Sequence, residues 1–231
     1  MSLFTDPRWG EALGHLPDYL GNHVRVSVTA LALGLLVSLP LAILSRHRPV
    51  LRGALLGLAS IVQTVPGLAL LALFYPLLLA LAALALNWFG VSFSAFGFLP
   101  AVLALALYSM LPVLRNTITG LLGIDPAVKE AALGVGMTRR QSLAMVEWPL
   151  ALPVIMAGLR VATVSTVALT TVGSLVAYGG LGNLIKDGVN TNFRAELFTA
   201  AVLCVLLAIA LDALIVLAQW LLTPWTHGNV G

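Results

Sequence analysis

Five long apolar runs, at residues 24–44, 53–86, 99–114, 150–177 and 197–222, decide what kind of structure this chain can adopt. A membrane-spanning helix needs roughly 20 apolar residues, and each run approaches or exceeds that length. Inside a bilayer every backbone N–H and C=O must be satisfied by the protein itself, which leaves helices or a closed barrel. The runs are Leu/Ala blocks without the alternation of barrel strands, so the expected class is an all-α polytopic membrane protein. Charge agrees with this: 9% of the 231 residues are charged, against about 25% in soluble proteins, and the mean hydropathy is +1.02.

Basic residues near span ends are retained in the cytoplasm. Arg46, Arg48 and Arg52 lie between the first two runs, and Arg115, Lys129, Arg139 and Arg140 flank or occupy the segment between the third and fourth. Residues 87–98 are uncharged and hold Trp88, Phe89, Phe93, Phe96 and Phe98, which suits an outer aromatic belt; Trp148, Trp220 and Trp225 then mark the inner face. Five spans follow, N-terminus out and C-terminus in. Residues 1–22 form an extracytoplasmic N-terminal segment, 23–222 the membrane domain and 223–231 a cytoplasmic tail. The second run is long enough to split, which gives a six-span alternative, and it is interrupted at Pro66-Gly67 and Pro76. Splitting it would place Arg46, Arg48 and Arg52 outside, so one long, kinked or partly re-entrant element is expected. The first 23 residues carry Asp6, Glu11 and Asp18 against Arg8, without the basic start of a removable signal.

Several function classes find no support. Cys204 is the single cysteine, which rules out an intrachain disulfide and a cysteine-based metal site. There is no G-x-x-x-x-G-K-[ST] and no H-E-x-x-H, and His15, His23, His47 and His227 scatter over predicted ends and loops. The expectation is therefore no catalytic residue, no metal site and no cofactor in this chain. An intramembrane hydrolase would need a paired constellation that the spans lack. The formal charge of +3 comes from loop arginines and requires no nucleic acid.

Residues 125–149, DPAVKEAALGVGMTRRQSLAMVEWP, form a charged island between two apolar runs. Asp125 before Pro126 is a helix start, because the carboxylate accepts an orphan N–H and proline has none to offer. Gly134 and Gly136 supply a sharp turn, and Thr138-Arg139-Arg140-Gln141 fits a capping box opening a second helix, expected to end before Pro149. An ordinary solvated loop would also carry caps and charges. Small Ala131 and Ala132 beside Glu130 argue for close approach of a partner around one carboxylate.

EAALGVG followed after nine residues by VEWP resembles the EAA motif of bacterial ABC importer permeases, with Val146-Glu147-Trp148-Pro149 at its end and Trp148 in place of the usual leucine. Further stretches, VQTVPGLALLAL (62–73), ALYSMLPVLRNTITGL (106–121), WPLALPVIMAGLR (148–160) and GGLGNLI (179–185), are similar to permeases of osmoprotectant importers, and the resemblance covers residues 20–222. It implies a MetI-like importer core in the bacterial inner membrane, with the island as a coupling helix docked on a cytoplasmic ATPase subunit. Glu130, Ala131, Ala132, Gly136, Arg139 and Arg140 would form that contact. ATP and magnesium would sit on the ATPase, and the remaining partners would be a second permease, identical or paralogous, an extracytoplasmic substrate-binding protein, and lipid. Glycine betaine, choline and carnitine are the implied cargo, a methionine-type amino-acid importer the alternative, and a non-transport membrane scaffold the reading from a different class.

Polar residues inside the runs narrow the chemistry. Arg160 lies 11 residues beyond Pro149 and Asp212 lies 11 before Thr223, so the two reach similar depth. Each costs about 2.5–3.5 kcal/mol unpaired, and they are expected to face the bundle interior and interact. Thr163, Thr166, Thr170 and Ser174 share a helix face that either lines a pathway or bonds back to the helix and glues neighbours. Gln63 and Thr64 beside the Pro66-Gly67 break are candidates of the same kind. Ala30, Gly34 and Ser38 make a groove for close helix contact. After Gly179, Gly180 and Gly182, the stripe Leu181, Leu184, Ile185 and Val189 suggests an outer interfacial helix that closes the pathway, touches a binding protein or anchors on the membrane.

Overall fold

The computed structural model of the chain describes residues 8–175, 178 and 180–226. Among these, every regular element is helical: α1 (Arg8–Ser45), α2 (Pro49–Thr64), α3 (Gly67–Phe89), α4 (Phe98–Leu122), α5 (Pro126–Gly134), α6 (Arg139–Ser142), α7 (Trp148–Val172), α8 (Leu181–Asn190) and α9 (Arg194–Leu222). Five are long and apolar enough to cross a membrane: Leu13–Ser45, Gly67–Phe89, Phe98–Leu122, Arg139–Val172 and Arg194–Leu222. His227, Gly179 and residues 1–7 and 227–231 lie outside the described residues.

α4 is the centre of the bundle, buried along most of its length between α1 and α7. Small residues set these distances. Gly120 faces Ala151 and Val154, and Gly158 faces Asn116 and the Pro112 carbonyl, so α4 and α7 run antiparallel at near backbone contact. The Ala30/Gly34/Ser38 groove is closed by α4: Ala30 and Ser38 are fully buried, and Gly34 sits against Ser109 and the Ala106 carbonyl.

The second apolar run resolves into α2 and α3, one interrupted crossing. α2 has 16 residues, ~24 Å of helix, short of a hydrocarbon core of about 30 Å. Its Leu55 and Leu56 pack on Leu114 and Ile118 at the island end of α4, whereas Leu70 and Leu71 of α3 pack on the other half. Val65 is extended (φ −71°, ψ 125°) because the following Pro66 excludes the helical region. The freed backbone groups find protein partners. The Tyr108 hydroxyl donates to the Val65 carbonyl, and the Gln63 amide donates to the Tyr108 carbonyl at 2.9 Å. That carbonyl needs a donor because Pro112, four residues on, has no N–H. Gln63 therefore mends a proline-broken helix from across the bundle; Thr64 is exposed on its side and bonds back to the Ile61 carbonyl.

Two expectations need correction. The second island helix does not stop before Pro149. α6 runs through a π-helical turn, Leu143–Glu147, straight into α7. The wider turn removes the clash a proline ring makes with the carbonyl four residues earlier and absorbs its missing N–H. The α8 stripe is not free for a membrane surface either, because Leu181 and Leu184 are buried against Leu16, Tyr19 and Leu20 of α1 and Leu203 and Leu207 of α9. Val189 alone of the stripe is well exposed. The chain's own helices cover what periodicity alone assigned to the interface. A Cβ on Gly182 would strike the Thr171 carbonyl. Gly182→Ala is therefore expected to cost about 1–3 kcal/mol, read as a lowered melting temperature of the purified protein in detergent.

Candidate functional site

The cytoplasmic end is built from caps. The Asp125 carboxylate accepts from the Ala127 N–H at 2.9 Å and Pro126 opens α5. Lys129 reaches back to donate to the Leu121 carbonyl at 2.9 Å, tying α5 to the end of α4. The turn passes through Gly136 at φ +89°, a left-handed position that only glycine takes without strain. The capping box at Thr138 and Gln141 then starts α6 with both reciprocal bonds present.

The result is a two-helix peg with one face outward. Glu130, Ala131, Arg139, Arg140 and Gly136 are exposed, whereas Ala132 is 6% exposed and turned onto the chain itself. Of the small pair beside Glu130, only Ala131 is open to a docking partner.

Behind the peg lies a contact the sequence did not reveal. Glu147, on the π-helical turn, accepts from the Arg46 guanidinium at 3.0 Å and from the Ser142 hydroxyl at 3.2 Å. The two charged side chains are 11% and 8% exposed. Arg46 reads as a topology-setting loop residue and Glu147 as an unconstrained motif position, so only the fold brings them together. Leu39 and Ile43 of α1 pack alongside, with Leu143 and Trp148, against Leu121, Ile124, Ala151 and Ile155. The peg is thus tied to α4 through Lys129, to the end of α1 through Glu147 and Arg46, and to α7 through continuous helix.

At the opposite end, His23 is fully buried rather than on a loop. Its Nε2 lies 3.1 Å from the Val167 carbonyl and its Nδ1 accepts from the Leu181 N–H at 3.2 Å. These partners require the Nε2–H tautomer. Tyr178 donates to Asn22 at 2.8 Å, and Gly180 touches the His23 backbone. One imidazole therefore fixes α1, α7 and the start of α8 together. His23→Leu leaves an acceptor and a donor unpaired, each worth about 1–3 kcal/mol; detergent melting is expected to show the loss, with amide exchange fastest over α8.

The span residues fall into two groups. Thr163, Thr166, Thr170 and Ser174 are buried; Thr163 and Thr170 donate to the carbonyls of Leu159 and Thr166, Ser174 to that of Thr171, and Thr170 also meets Ser27 of α1 at 3.0 Å. Thr170 thus ties α7 to α1, the buried Thr166 hydroxyl has no hydrogen-bond partner among the described residues, and Thr163 also lines a cavity of about 240 Å³ between α1, α7 and α9. Arg160 and Asp212 are in contact, with bidentate bonds from Nε at 2.8 Å and from the terminal nitrogen at 2.7 Å. They join α7 to α9 but do not face the interior of this bundle: their side chains are 43% and 25% exposed on a groove at its surface.

The sequence matches the family described as "Binding-protein-dependent transport system inner membrane component" over residues 31–228. It is 39% identical over 203 residues to the choline transport system permease protein OpuBB of Bacillus subtilis, covering 88% of this chain and 86% of that protein. It is 37% identical to the glycine betaine/carnitine/choline transport system permease protein OpuCB of the same organism, over 91% and 90% of the two chains. Identity to the osmoprotectant import permease protein OsmW of Salmonella typhimurium is 36%, over 91% and 93%. Among solved structures, the MetNI methionine ABC transporter in an inward-facing conformation has a chain of the same fold, with a TM-score of 0.73 over 91% of this chain and 97% of that one at 21% identity. Five apolar spans, a capped two-helix peg of EAA type and matches over nearly the whole length agree: the chain belongs to the family of binding-protein-dependent transport system inner membrane components, as a multi-pass permease subunit of an ABC importer.

Proposed function

We infer that this permease carries small osmoprotectants, the quaternary amines glycine betaine, choline and carnitine, using ATP hydrolysed with magnesium on a separate cytoplasmic ATPase. The observation that supports this cargo most is the 36–39% identity, over about nine-tenths of each chain, to permeases named for these solutes. The likeness to the methionine transporter carries the fold and not the cargo.

The α5–α6 peg docks on the ATPase. Glu130 offers a carboxylate to a basic or donor group there, Arg139 and Arg140 add charge on the next helix, and Ala131 permits close approach. Lys129 and the Arg46–Glu147 pair pass the ATPase stroke to α4 and α1. A second permease, identical or paralogous, completes the pathway, and an extracytoplasmic binding protein delivers the solute. Vesicles holding the permease, its ATPase and its binding protein should accumulate labelled glycine betaine, choline or carnitine on addition of ATP. Accumulation of methionine alone would replace the cargo; accumulation of no solute would contradict the transport reading.

A further inference from the structure

Halfway along α7, ~18 Å from Trp148 along the axis, one helix face turns out of the bundle: Ala157, Val161, Val164, Ser165 and Ala168 are exposed beside half-exposed Arg160. With α9 this face bounds two adjoining cavities of about 500 and 440 Å³ that share Val164 and Asp212. Such volumes are in the range of small-molecule sites, about 300–1,000 Å³.

Three features make this groove a place for solute. An ion pair left open by 43% and 25% of its side chains is costly against hydrocarbon, so the groove meets water or protein rather than lipid. The other polar face of α7 turns inward: Thr163, Thr166 and Thr170 are buried, and Thr170 meets Ser27 of α1. Finally, the pair is neutral as a whole yet presents a guanidinium fork and a carboxylate side by side, next to the apolar walls of Val164, Val205 and Ala208. A guanidinium matches a carboxylate in two parallel bonds, and a carboxylate suits an ammonium.

We propose that the α7–α9 groove is a solute site in which a small zwitterion exchanges into the Arg160–Asp212 pair, its carboxylate taking the Arg160 guanidinium and its ammonium taking Asp212. The exchange leaves no net charge in the groove at any stage. A cation without a carboxylate engages Asp212 alone, so loss of Arg160 bears on a zwitterion far more than on its cationic analogue. The site rests on the transporter reading above but not on which cargo that reading names.

The test uses the assembled transporter in vesicles and compares each zwitterion with a cationic analogue lacking the carboxylate: glycine betaine with choline, and methionine with methioninamide. Arg160→Gln should lower uptake of the zwitterion at least tenfold relative to its analogue, while Arg160→Gln/Asp212→Asn, which leaves no unpaired charge, should fail to restore it. A merely structural tie between α7 and α9 predicts equal loss for both solutes and recovery in the double variant, and that result overturns the proposal. In a Cys204→Ser background, Ser165→Cys should react with a charged, membrane-impermeant thiol reagent and be protected by the zwitterion. No reaction means that lipid or the second permease covers the groove, which also overturns the proposal. A wild-type assembly inert toward all four solutes would instead remove the transport reading itself.

Discussion

Glu130→Lys is expected to abolish ATP-driven uptake while the membrane domain still folds. The residue is exposed on α5, away from the packed face that carries Ala132, so reversing its charge costs the isolated chain little. At a docked interface the same change removes a charge-assisted contact and introduces repulsion, worth about 2–5 kcal/mol, or a loss of affinity of about thirtyfold to about four-thousandfold at about 1.4 kcal/mol per decade. Co-purification of the ATPase subunit should fall in parallel with uptake, and the melting temperature of the permease alone should stay at the wild-type value. Intact assembly and intact uptake would show that the carboxylate plays no part in docking.

Glu147→Leu should be the most destabilising single change at the cytoplasmic end. It strands the Arg46 guanidinium at a site only 11% exposed and leaves the Ser142 hydroxyl without its acceptor. Breaking one side of a buried pair costs about 3–5 kcal/mol, whereas replacing both members by apolar groups is often neutral. The double variant Arg46→Met/Glu147→Leu is therefore expected to regain most of the lost stability, measured by denaturant unfolding in detergent. Equal and additive losses in the two single variants and the double would mean that the two side chains do not act as a pair.

The island shows how far sequence reaches into this molecule. Asp125-Pro126, Gly136 and the Thr138–Gln141 box are local devices, each set by a few neighbouring residues, and each occupies the geometry its sequence announces. The five spans are legible for the same reason, since hydrocarbon thickness imposes length and backbone satisfaction imposes helix. Contacts between distant segments are not legible. Gln63 reads as a polar residue beside a helix break, and nothing local announces that it donates to the Tyr108 carbonyl left open by Pro112. His23 looks like a loop residue until α1 begins at Arg8 and carries it into the bundle against Val167 and Leu181. Pro149 looks like a helix stop until a π-helical turn accommodates it. In each case a proline or a buried polar group is resolved by a partner more than 40 residues away or by a non-standard helical turn, and periodicity records neither.

The claim that α5 and α6 receive the force of ATP hydrolysis is tested most directly by photo-crosslinking from a benzophenone amino acid placed at Ala131 in the assembled transporter. Ala131 lies on the exposed face beside Glu130, and Leu206, 54% exposed on the span α9, serves as the control position. The geometry predicts an ATPase–permease adduct from position 131 whose yield changes when ATP is added, and none from position 206. Absence of the adduct from position 131, in an assembly that still transports, would contradict it.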